Sequence, residues 1–205
     1  MNIPTEEVVC LPNFSIHAAY SSAAKDSAGA LVDRLYARKG YTSTLSELPD
    51  RLTLIAKFDN NVIGTLTVGF GDELVVESLF PQEVRDIRDK GHIVCEFTKL
   101  AIDSSKQVLA ALFNVAYIYA YRIREADTLL IEVNPRHVRY YKSMMGFNII
   151  GPEKYNDRVN AVSVLLALDF KYVSEQIVCG SSRRSIYPHA FSKQDESGVL
   201  TRLLP

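Results

Sequence analysis

Residues Thr128–Phe147 read TLLIEVNPRHVRYYKSMMGF. Leu129–Val133 is an almost unbroken apolar run, the pattern of a strand covered on both faces, and it leads straight into Asn134-Pro135. A short helix is expected over Arg136–Met145. It carries four basic side chains (Arg136, His137, Arg139, Lys142) and two adjacent tyrosines (Tyr140, Tyr141), and it stops at Gly146-Phe147. Phe147–Ile150 then reads as another strand.

Working outward, His92–Ile102 is strand-like with apolar residues at both parities. Ile93, Cys95, Phe97 and Ala101 fall on one face, and Val94, Leu100 and Ile102 on the other. Asp103-Ser104-Ser105 can cap the following helix, whose stripe is Leu109, Leu112, Phe113, Ala116, Tyr117 and Ala120. Two strands joined through a helix must lie parallel, so a parallel pair is expected in the middle of a mixed α/β sheet flanked by helices. Upstream, a helix is expected over Tyr20–Arg38, ending at Gly40. Leu52–Phe58 and Val62–Phe70 form a hairpin through Asp59-Asn60-Asn61, and Pro81–Lys90 a charged helix stopped by Gly91. Residues 1–16 look like a leader, with a short strand near Val8–Leu11. Downstream, Val162–Phe170 is a strand. From Lys171 the composition turns polar and Gly/Ser-rich, giving an expected domain at 1–170 and a tail at 171–205, either disordered or partner-facing.

The chain has 205 residues, 47% of them hydrophobic, enough for one core. A net charge of −1 offers no global field for nucleic acid or a membrane surface, so any basic patch must be local. Cys10, Cys95 and Cys179 are odd in number and far apart, and the four His do not cluster with them, so neither a disulfide framework nor a metal site is suggested. The start lacks a signal-peptide pattern, and Val108–Tyr121 is too short to span a bilayer, which needs about 20 apolar residues. A cytoplasmic location is the expectation.

Glu96 and Lys99 stand inside an apolar central strand, where charges are rarely placed without a partner or a purpose. Strict alternation puts them on opposite faces. A β-bulge would re-aim one of them and splay this strand from its parallel neighbour. A splayed pair leaves backbone N–H groups free to hold the oxyanion formed from a thioester carbonyl. The alternative is a Glu96 opened to the surface and a Lys99 held in a structural ion pair. Tyr140 and Tyr141 could protonate a departing thiolate, Tyr141 the better placed, or simply pack in the core. Arg136, Arg139 and Lys142 form either a solvated face or a docking patch for an acidic carrier. Arg34 and Arg38 could bind a substrate carboxylate or sit bland on a helix surface. Glu132 either faces the cleft or is paired with a cation.

These segments resemble the Gcn5-related N-acyltransferase (GNAT) superfamily. More narrowly they look like the long-chain N-acyl amino acid synthases, relatives of the acyl-homoserine lactone (autoinducer) synthases. Cys95–Asp103, CEFTKLAID, is similar to the family's Glu-x-Ser-Arg-Leu/Phe-Ala strand. Asn134–Phe147, NPRHVRYYKSMMGF, is similar to the synthases' Asn-Pro-Arg-His helix, and Arg34–Tyr41, RLYARKGY, more weakly to their N-terminal substrate helix. The resemblance covers about residues 20–170.

It implies the GNAT fold, with Glu96 assisting amine deprotonation, Lys99 standing for the family's Arg and Thr98 for its Ser. The Lys keeps the charge and loses the fork. Phe97, Thr98, Leu100, Arg34, Arg38 and Asn134 are the expected substrate-binding positions, with the acyl chain near Leu129 and Phe113. Acetyl-CoA enzymes of the fold carry a Gly-rich pyrophosphate loop after the central strand. Here Ser104–Ala110 has no glycine. That departure favours acyl carrier protein, which presents acyl-phosphopantetheine without a nucleotide. The resulting expectation is an enzyme moving a fatty acyl group from acyl carrier protein to an amino acid or a related small amine, with no permanently bound cofactor. A CoA-dependent acetyltransferase and a non-catalytic module of the same fold are the alternatives.

Overall fold

Nine strands form one mixed sheet in the computed structural model, which describes residues 6–42, 48–179, 198–199 and 202–203. They are β1 (Glu6–Leu11), β2 (Phe14–Ala18), β3 (Arg51–Phe58), β4 (Asn61–Gly69), β5 (Val94–Ile102), β6 (Thr128–Val133), β7 (Asn148–Ile149), β8 (Lys154–Asn156) and β9 (Ala161–Asp169). The spatial order is β1-β2-β3-β4-β5-β6-β9-β7, with β8 also on β9. The α-helices with defined bounds among the described residues are α1 (Ser22–Ala37), α2 (Pro81–Arg88), α3 (Lys106–Tyr117) and α4 (Pro135–Met145) between strands, and α5 (Phe170–Cys179) after β9. A 3-10 turn at Val75–Ser78 precedes α2, and a π-helical turn at Ile118–Ile123 extends α3.

Local chemistry accounts for the boundaries. Ser21 caps α1 by accepting the Ala24 N–H at 3.2 Å. Asp59 and Asn60 both take positive φ (45° and 63°), as a two-residue hairpin turn requires, so Asn61 already belongs to β4. The Asn134 side chain accepts the Arg136 N–H, Pro135 opens α4, and Gly146 closes it at φ 78°.

The expected parallel pair is β5–β6, and its two strands part. They are paired at Val94–Thr128, Cys95–Leu129 and Glu96–Leu130, and not beyond. The cause lies on the other edge of β5. Thr67 faces Thr98 and Thr65 faces Ala101, so Leu66 of β4 stands opposite both Lys99 and Leu100. Lys99 sits in the left-handed region at φ 51°. This is the anticipated β-bulge, and it bends β5 away from β6.

The bulge also corrects the face assignment along β5. A one-residue insertion flips every later side chain. Cys95 and Phe97 face α3, but Ala101 turns to the opposite side and packs on Leu31 and Val32 of α1, while Ile102 joins the α3 side.

Helices α3, α4 and α5 cover one face of the sheet over the main core. α1, α2 and the 3-10 turn cover the other. Packing does not stop at Phe170. Phe170 and Val173 of α5 are buried in the main core, and so are Val199 and Leu203 further on. Two strands, β2 and β8, have no counterpart in the sequence reading. Among the described residues no helix is long and apolar enough to cross a membrane.

Candidate active site

Where β5 and β6 part, a cleft of about 630 Å³ opens between them. Leu100, Ala101 and Ile102 form one wall and Glu132, Val133 and Asn134 the other. Tyr36, Arg38 and Tyr41 close it from the end of α1, and His137, Tyr140 and Tyr141 from α4. Asn156 of β8 and Val162 and Ser163 of β9 complete the far side. Thr42 ties two of these walls together: its N–H donates to the Val159 carbonyl (3.3 Å) and its hydroxyl to the Arg158 carbonyl (3.2 Å).

Glu132 is the one carboxylate lining this cleft among the described residues. Its side chain is 13% exposed. Arg158 Nη2 donates to one carboxylate oxygen (2.5 Å) and Asn156 Nδ2 to the other (2.6 Å). Burial pushes its pKa above the ordinary 4.5. The Arg158 charge and hydrogen bond oppose that shift, and the nearby Glu96 charge adds to it.

Four half-buried tyrosines, Tyr36, Tyr41, Tyr140 and Tyr141, share the cavity. Tyr36 is pushed up to about 12 by burial, with the charge of Glu132 adding to it. Tyr141 is raised further, chiefly by burial, so it stays protonated at neutral pH. Tyr41 Oη is buried without a hydrogen-bond partner among the described residues. Burial and the neighbouring Arg136 and Lys39 charges lower the His137 pKa, so its ring is neutral at pH 7.

Glu96 is placed differently from the expectation that it flanks the cleft. It lies on β5 before the strands part, is fully buried, and does not line the cavity. Arg51 Nη1 (2.5 Å) and the Val75 N–H (2.8 Å) donate to one of its oxygens, and the Val76 N–H (3.0 Å) to the other. Its ion-pair partner is Arg51, so Glu96 is not opened to the surface. Lys99 has no ion-pair partner among the described residues.

The other expected positions divide. Leu100, Asn134, Tyr141 and Arg38 line the cleft. Phe97 packs instead against Phe113 (ring centroids 5.3 Å apart) and Phe170, and Thr98 does not reach the cavity. Arg34 pairs with Asp103 at 2.8 Å and faces a separate hollow between α1 and the β3–β4 hairpin, while Arg38 meets the same Asp103 more loosely at 3.5 Å. Leu129 and Phe113, expected beside the acyl chain, are sealed in the core. The apolar lining includes Leu35, Leu100, Ile102, Leu109, Val133 and Val162. Arg136, Arg139 and Lys142 are exposed on α4.

Sequence reasoning missed Tyr36, Tyr41, Asn156 and Arg158. The first two stand within the quoted RLYARKGY segment, so a signal for them existed. Asn156 and Arg158 reach Glu132 from a strand and turn with no periodic pattern of their own.

The geometry agrees with comparison to known proteins. The family model described as N-acyl amino acid synthase FeeM matches residues 27–169. The solved structure of FeeM, an N-acyl amino acid synthase from uncultured soil microbes, superposes with a TM-score of 0.76 at 25% identity, covering 84% of this chain and 100% of that one. The acyl-homoserine lactone synthase LasI shares the fold at 12% identity and TM-score 0.54, over 77% of this chain and 90% of its own. Escherichia coli ElaA does so at 7% identity and TM-score 0.56, over 76% and 99%. Among curated protein sequences none matches. The family match spans well over half of the chain and falls on the very elements that build the cleft, so the chain belongs to the FeeM family of N-acyl amino acid synthases and is an N-acyltransferase of the GNAT fold.

Proposed function

We propose that the chain moves a fatty acyl group from the phosphopantetheine thioester of acyl carrier protein to the amino group of an amino acid or a related small amine, in the cytoplasm. The observation that carries this reading is the apolar cleft between the parted ends of β5 and β6, with an exposed basic helix at its mouth. The thioester enters between the strands. Within the Phe97–Leu100 stretch of β5, which has no pairing with β6, Leu100 is the residue that lines the cleft, and backbone N–H groups at this end of the strand hold the carbonyl oxygen as it becomes an oxyanion. The Tyr141 phenol, protonated and at the cleft, supplies a proton to the departing sulfur. Arg38 at the rim pairs with an acceptor carboxylate.

Arg136, Arg139 and Lys142 present their charge to an acidic carrier, where steering needs only a local patch. The start of α3 has no glycine to let its backbone approach a pyrophosphate closely, which supports a donor without a nucleotide. The test compares acyl transfer from acyl carrier protein and from CoA by the wild type and by Arg139→Glu/Lys142→Glu. The double variant is expected to lose about tenfold or more in kcat/KM with the carrier protein and to keep its rate with acyl-CoA. Equal losses with both donors, or a wild type that prefers CoA, overturn the carrier-protein assignment.

A further inference from the structure

We propose that Glu132 is the proton acceptor for the incoming amine, held in an acid–phenol cage built around it by the β8–β9 turn and the end of α1. The inference rests on the reading of this cleft as the acyl-transfer site and names a catalytic group within it.

Three observations carry it. The family motif supplies Glu96, but that carboxylate is walled off by the 3-10 turn and already takes three donors. Glu132 is the cleft's own carboxylate. A carboxylate has about four acceptor sites. Arg158 and Asn156 occupy two of them, which leaves room for the N–H groups of an amine. Finally, the wall beside it is aromatic. Tyr36 and Tyr41 stand edge to face with centroids 6.1 Å apart, and the Tyr41 hydroxyl has no partner among the described residues. Aromatic rings lining the same cavity as a carboxylate suit an ammonium group.

The step balances as follows. The acceptor enters as an ammonium ion and gives one proton to Glu132, which exposes its nitrogen lone pair. Nitrogen attacks the thioester carbon, the C–N bond forms and the C–S bond breaks. The second proton leaves the nitrogen for the departing sulfur by way of the Tyr141 hydroxyl, which gives one proton and takes one. The products are an amide and a free thiol, and Glu132 returns its proton to solvent.

The charged and titratable groups around Glu132 set its working range. Arg158 on the β8–β9 turn favours the ionised form. Glu96 on β5 disfavours it, and burial does so more strongly. Tyr36 from α1, Tyr41 just beyond it, and Tyr140 and Tyr141 from α4 line the same cavity, and burial keeps Tyr36 and Tyr141 protonated. His137, neutral at pH 7, shares it with Arg38 and Lys39. The acid limb of kcat/KM is therefore expected above the ordinary Glu range. Removing Arg158 moves that limb to higher pH.

The experiment uses the full chain, a dodecanoyl thioester on acyl carrier protein or CoA, and a pool of the twenty common L-amino acids. Amide products are read by mass spectrometry, and pH–rate profiles are taken with the best acceptor. Glu132→Gln, nearly isosteric, is expected to lose about 10²–10⁴-fold in kcat. Its thermal melt should stay cooperative. Arg158→Gln is expected to keep measurable turnover with its acid limb displaced upward. If the wild type forms amide while Glu132→Gln stays within threefold of it, or if the acid limb ignores Arg158→Gln, this inference fails and the assignment of the cleft stands. If the wild type forms no amide from either donor, both fall together.

Discussion

Glu96 and Glu132 sit on the same face of adjacent strands and live in opposite surroundings. Glu96 is fully buried, and each of its oxygens accepts from a fixed donor, Arg51 among them. Glu132 meets two donors at the edge of a cavity. The first arrangement fixes β5 to the 3-10 turn at the level where the strands begin to part. Glu96→Gln leaves the Arg51 guanidinium, only 10% exposed, without its counter-charge. Removing one partner of a buried pair costs about 3–5 kcal/mol, so urea unfolding of this variant should show a loss of that order. A stability equal to wild type would mean that the pair is not needed to hold β5 in place.

At the scale of the element, the bulge in β5 is what makes the cleft. Without it, β5 would continue beside β6, and Ala101 would lie under α3 instead of α1. Its cost is a lysine at φ 51°, a region that L-residues other than Asn and Asp enter at about 1–2 kcal/mol. Lys99→Gly removes that strain, offset by the greater entropy glycine loses on folding. The thermal midpoint should therefore be held or raised by the equivalent of up to about 1 kcal/mol. Lys99→Val, β-branched and intolerant of positive φ, should lower it clearly. Both variants melting alike would show that the position does not carry the bulge.

For the whole molecule, α5 and the described residues Val199 and Leu203 beyond it are part of the packing. Phe170 lies against Phe97, Tyr117 and Tyr121, with ring centroids 6.4, 5.4 and 5.9 Å away, and is 1% exposed. Gly146, which ends α4, sits against Tyr172, so α5 also braces the helix that closes the cleft. Phe170→Ala should cost about 3–5 kcal/mol in chemical denaturation. A loss below about 1 kcal/mol would mean that this end of the chain contributes little to the core.

Much of this was legible in the residues themselves. Two-sided apolar runs marked β5 and β6 as central, and a helix between them forces parallel strands whatever the rest of the chain does. Asn134-Pro135 and Gly146 bracket α4 through local hydrogen bonding and backbone geometry alone, and two out-of-place charges in β5 announced a bulge. The identity of the cleft's carboxylate was not legible. Glu96 and Glu132 are each an acid in an apolar strand, and sequence offers the same two readings for both. The choice was made by residues distant along the chain. Arg51 and the turn at Val75–Val76 enclose the first, while Asn156, Arg158 and the tyrosines near the end of α1 surround the second at an open cavity. Periodicity and capping are short-range effects that a sequence displays, whereas burial and electrostatic partnership depend on which strands come to lie side by side.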